Sequence, residues 1–122
     1  MDENNSFQER LKLKADNFVR LAYLISKDFP RDEIFGITSQ LRRASLSVVL
    51  NLIEGYARQR DKVYKNFLEI SYGSLKEAEY LLKFANRENY VKDAINYNLA
   101  ISLADEIGAM LWGTIDNIKY KI

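Results

Sequence analysis

Between Ile37 and Arg58 six polar positions fall on one line. At about 100° per residue, Gln40, Arg43, Ser47, Asn51, Glu54 and Arg58 share one narrow helical stripe. Leu41, Ala44, Leu46, Val48, Val49, Leu50, Leu52, Ile53, Tyr56 and Ala57 take up most of the remaining circumference. A surface helix shows a single apolar stripe, so this pattern predicts a helix (B) that is buried, packed on more than one side and central to the molecule. The segment lacks proline, and its one glycine, Gly55, stands near the end.

The same period recurs along the chain. From Ser6 to Lys27, Phe7, Leu11, Phe18, Ala22 and Ile25 predict helix A, with Val19, Leu21 and Leu24 widening its apolar side. Pro30 disfavours helical geometry at Phe29 and ends it. Pro30 to Phe35 suits a short helical turn before Gly36 resets the backbone. Helix C is predicted from Lys62 to Asn86, with Asp61 as its N-cap. It too carries two apolar arcs, one of Tyr64, Leu68, Leu75, Ala78, Leu82 and Ala85 and one of Val63, Phe67, Ile70, Leu81 and Phe84. Gly73 and Ser74 interrupt it, and a mid-helix glycine costs ~1 kcal/mol against alanine, which predicts close approach of a neighbouring helix there. Helix D is predicted from Lys92 to Lys119, with Ala100, Ala104, Ile107, Leu111 and Ile118 on one face. Lys119 and Lys121 suit the negative end of its dipole. Four long helices with short connections predict an all-α, antiparallel up-down-up-down bundle as a single domain over residues 1–122.

A monomeric bundle needs one inward apolar face per helix, whereas B and C each carry two. Exposing the second arcs would leave a larger apolar patch than soluble monomers usually tolerate. Burial against copies of the same chain removes it, and a head-to-tail contact that closes gives a ring. The sequence is therefore expected to form a closed homo-oligomer.

Composition narrows the chemistry. The 122 residues include neither cysteine nor histidine, so disulfides and thiolate metal sites are excluded and the commonest general base and metal ligand are absent. No cofactor and no membrane partner are expected. The polar N-terminal stretch and the lack of a long apolar run point to a soluble cytoplasmic protein. The net charge of +1 weighs against strong nucleic-acid binding, but the basic residues are unevenly spread. Arg42, Arg43, Arg58, Arg60, Lys62 and Lys65 stand between Leu41 and Lys65 against only Glu54 and Asp61. Arg42, Arg58, Arg60, Lys62 and Lys65 are thus the candidates for an anion-facing patch, and a solvated helix end is the alternative. Tyr56, Tyr64 and Tyr72 suit base stacking, but at helical spacing they read first as core or interface.

Glu54, Glu77 and Glu79 invite an acid–base or metal reading. A di-metal bundle site uses Glu-x-x-His pairs, which a histidine-free chain lacks. The preferred expectation is a buried or half-buried structural network of Arg43, Ser47, Asn51, Glu54, Ser74, Glu77 and Glu79, in which Arg43 or Arg58 pairs with the carboxylates.

Three segments carry a resemblance: Phe29 to Ala44 (FPRDEIFGITSQLRRA), Ser47 to Gly55 (SVVLNLIEG), and Phe67-Leu68 followed by Gly73 to Glu79 (GSLKEAE). Together they resemble the four-helix bundle family encoded by intervening sequences of bacterial 23S rRNA genes, also labelled S23 ribosomal protein. The family favours alanine at Ile53, often has proline at Val49, and often has a tryptophan in helix A that is missing here. The resemblance implies a non-enzymatic bundle assembled as a ring, typically a homopentamer. It also implies kinship in fold with accessory proteins of diversity-generating retroelements, which bind nucleic acid and a reverse transcriptase. The function expected on these grounds is a ring-forming adaptor or scaffold for structured RNA or DNA, or for a reverse transcriptase or other protein partner. The alternative is a purely structural oligomer that binds a protein or small ligand.

Overall fold

In the computed structural model, which describes residues 3–118, α1 spans Glu3–Ser26, α2 Ile37–Arg58, α3 Asp61–Arg87 and α4 Ala94–Asn117. A single 3-10 turn at Arg31–Glu33 lies between α1 and α2, in the segment that Pro30 opens. Each helix packs on the helices next to it in sequence, and α1 also packs on α4, which closes an antiparallel four-helix bundle. Among the described residues there is no strand. Lys119 and Lys121, expected to complement the dipole of the last helix, lie outside the described residues.

The core is built from the predicted inward positions. Leu11, Phe18 and Ile25 of α1 meet Leu41, Val48 and Leu52 of α2, Leu68, Leu75 and Leu82 of α3, and Ile107 and Leu111 of α4. α2 and α3 share the most extensive contact. Their close approach rests on small buried side chains: the Ser71 hydroxyl donates to the Val48 carbonyl at 2.7 Å, and Gly55 lies against Tyr64 and Phe67.

Several expectations need correction. α2 is a corner helix with α1 and α3 beside it, not a central one. Of its two apolar arcs, one fills the core and the other leaves Leu46, Leu50 and Ile53 exposed in the single chain. Gly73 is exposed, and a Cβ placed on it would meet nothing within 4 Å, so no helix of the same chain approaches there. The residue is two positions from the buried Leu75, which turns it about 200° away from the core. Asp61 is the first residue of α3, not its cap: Gln59 turns left-handed (φ 39°) to end α2, and Arg60, in extended geometry, occupies the cap position. Helix A begins at Glu3 instead of Ser6, and α4 begins at Ala94 instead of Lys92 because the Asp93 carboxylate accepts from the Asn96 backbone N–H at 3.0 Å.

Candidate functional site

The basic candidates separate into two places. Arg58, Arg60, Lys62 and Lys65 stand around the tight α2–α3 turn. Arg42 lies sixteen residues earlier on α2, about 24 Å away along the axis. It is half-buried, donates from Nε to the Ser26 hydroxyl at 2.9 Å and lies over the Tyr23 ring at 4.8 Å. Those contacts tie it to α1, so it does not join the patch. At the turn, Arg58 pairs with Glu54 at 3.2 Å and its guanidinium lies 5.5 Å from the centre of the Phe67 ring. Arg60 and Lys62 are exposed, and Lys65 is half-buried.

The polar stripe of α2 faces the seam with α3. Ser47 and Ser74 are 2.7 Å apart, and Asn51 donates to both the Ser47 carbonyl and its hydroxyl. Arg43 bridges to Glu77 at 3.0 Å across the same seam. The expected partners therefore meet, with one correction: the ion pairs are at the surface, the side chains of Arg43 and Glu77 being 67% and 47% exposed. A helix seam this shallow leaves long charged side chains in water, where such pairs contribute roughly 0–1 kcal/mol. Glu79 is not part of this seam. It is buried between Lys76 (3.4 Å) and Lys83 (3.8 Å) on its own helix. Glu54, Glu77 and Glu79 each take a separate basic partner and form no common centre.

Tyr56 and Tyr64, read from the sequence first as core or interface, form a cluster that backs the basic turn. Tyr56 and Tyr64 have ring centres 6.2 Å apart, and Gln8 of α1 donates to the Tyr64 hydroxyl at 3.3 Å. The Tyr56 hydroxyl is buried and has no hydrogen-bond partner among the described residues. Burial, reinforced by Tyr64, holds its pKa far above the ordinary phenol value. Burial also raises Tyr64, opposed by the bond from Gln8. These two rings join three helices and are not placed to stack on bases. Tyr72 instead packs against Trp112 of α4 at 5.5 Å between ring centres. The signal for the cluster was in the sequence: Gln8, Tyr56 and Tyr64 all lie near the helix ends that an antiparallel bundle brings together.

Over residues 10–113 the sequence matches the family described as 23S rRNA-intervening sequence protein. The chain belongs to that family. Among solved structures, this family member resembles a protein of unknown function from the S23 ribosomal protein family of Bacteroides thetaiotaomicron. The two share 22% identity with a TM-score of 0.80, over 91% of this chain and 99% of the other, which establishes the common fold. No curated protein matches the sequence. Among the described residues of this 23S rRNA-intervening sequence protein, no helix is long and apolar enough to cross a membrane.

Proposed function

We propose that the chain is a non-enzymatic scaffold whose copies assemble head to tail into a closed ring, and that the ring presents its basic α2–α3 turns to structured RNA or DNA. The observation that carries this reading is the outer face of α2. Leu50 and Ile53 are 55% and 47% exposed, and α1 adds Leu13 and Leu24 beside them at 61% and 47%. An apolar face this long on a bundle whose core is already filled calls for a protein surface to cover it. Family membership supports five copies. Repetition around an axis would place Arg58, Arg60, Lys62 and Lys65 of each copy on one rim, where weak phosphate contacts add through avidity despite a net charge of +1 per chain.

The test is an electrophoretic shift with ribosomal RNA at two salt concentrations, for the natural chain and a variant with the four charges reversed. Binding that weakens steeply with salt and disappears in the variant supports the reading. Binding that survives reversal removes the site. A second reading, a structural oligomer that binds no nucleic acid, draws support from the Arg58–Glu54 pair, which satisfies Arg58 internally. It predicts no shift at either salt concentration.

A further inference from the structure

Trp112 is the largest side chain of the bundle that stays exposed, at 56%, although it packs on Tyr72. At 100° per residue, Asp105 and Asp116 stand on the same side of α4 as Trp112. On α3, Glu69, Gly73, Lys76 and Tyr80 form the neighbouring stripe, and the Lys76 amine lies over the Tyr72 ring. Glu69, Asp105 and Asp116 have no ion-pair partner among the described residues, whereas Lys76 and Lys83 of this side both engage Glu79. The α3/α4 face is thus aromatic, with its free charges acidic.

The closed order of packing, α1 to α2 to α3 to α4 and back, puts the α1/α2 face on the opposite side of the bundle. There Leu13, Val49 and Ile53 line an open groove of about 580 Å³, bordered by Arg10 and Lys12 as well as Glu9 and Asp16. Arg20 and Lys27 are the charged residues lining the adjoining groove, beside Val19, Tyr23, Leu24 and Leu46. The balance of this face is basic and its apolar surface aliphatic. Heights also agree. Trp112 is five residues before the end of α4 and Ile53 five before the end of α2, and both helices end at the same end of the bundle. At ~1.5 Å per residue the tryptophan and the groove are therefore level.

We propose that the neighbour in the assembly is engaged by this pair of faces: Trp112 of one copy enters the Leu13–Val49–Ile53 groove of the next, with Asp105 and Asp116 set against Arg10 and Lys12. The proposal rests on the ring reading and specifies its contact. Two different faces make the contact heterologous, the kind that gives a ring when the rotation between successive copies sums to a full turn. A central tryptophan in an aliphatic groove with charges at the rim matches the composition of an interface anchor.

Sedimentation equilibrium of the full chain tests this, with circular dichroism to confirm helicity. Trp112→Ala is expected to weaken association at least ~10-fold, consistent with a hot-spot tryptophan. Asp105→Lys with Asp116→Lys, and separately Arg10→Glu with Lys12→Glu, are expected to release smaller species. These charged residues are exposed, so folding survives where the tryptophan variant's does not. All four reversals in one chain are expected to restore the original mass, which a merely destabilising effect would not do. If the natural chain is oligomeric and every variant keeps its mass, this pair of faces is wrong while the ring reading stands. A monomeric natural chain overturns both.

Discussion

Gly55 and Gly108 offer a controlled comparison of the same substitution. Both are buried helical glycines, so replacing either by alanine gains up to ~1 kcal/mol of helix propensity. They differ in what the new methyl group meets. At Gly108 the nearest atoms are the tip of Leu75 at 3.6 Å and the Lys76 amine at 3.9 Å, ordinary contact distances. At Gly55 the methyl would stand 3.2 Å from the Tyr64 ring and 3.3 Å from the Cβ of Phe67. The tyrosine ring has some freedom to turn, but the Phe67 Cβ is fixed to the α3 backbone and yields only if the helix shifts. Overpacking of this kind costs about 1–3 kcal/mol, which cancels or exceeds the propensity gain. Gly108→Ala is therefore expected to be stabilising and Gly55→Ala neutral to destabilising, with a gap of about 1–3 kcal/mol. Urea unfolding at one fixed protein concentration measures the difference, because an associating protein's stability depends on concentration. Gly55→Ala as stable as Gly108→Ala would show that α2 and α3 have slack at this crossing and refute the packing argument.

Gly73→Ala, on open surface, is expected to stabilise the folded chain by up to ~1 kcal/mol, and a lowered urea midpoint would show that the methyl does meet something. Tyr56→Phe removes a buried hydroxyl with no partner among the described residues and is expected to leave stability unchanged or raise it by about 1 kcal/mol. The same phenol has a folded pKa raised above its unfolded value, so its neutral form stabilises the fold fully below about pH 10 and that contribution is lost as pH rises further. Unfolding followed from pH 9 to 11 should therefore show less alkaline loss in Tyr56→Phe than in the natural chain, and equal losses would contradict the burial. Arg43→Ala is expected to cost no more than about 1 kcal/mol, since the pair with Glu77 is exposed, and a larger loss would mean that the seam is coupled through Ser47 and Ser74.

Some helix boundaries were readable from the sequence, while the start of α1 and the Asp93 cap of α4 were not. Pro30 ended α1, and the periodic run from Ile37 to Arg58 returned the bounds of α2 without adjustment. The two-arc pattern of α2 was also real, but periodicity does not say whether a second arc is covered by the same chain, and here Leu46, Leu50 and Ile53 are not. The glycines show the difference between noticing a residue and placing it. Gly55 follows Leu52 by three and Val48 by seven, on the core face, and Gly108 follows Ala104 by four, whereas Gly73 is off the Leu68–Leu75–Leu82 line. Reading each against its own helix would have selected the right two. Ser71, on the line of Leu68, Leu75 and Ala78, was legible as buried for the same reason. The basic patch was legible only in part, because Arg42 and Arg58 are close in sequence character but at opposite ends of one helix.

Whether the bundle assembles is decided by the mass of the chain in solution. Light scattering coupled to size exclusion at micromolar concentration is expected to give about 71 kDa, five times the 14.2 kDa chain. A mass of 14.2 kDa, unchanged on concentration, would contradict assembly.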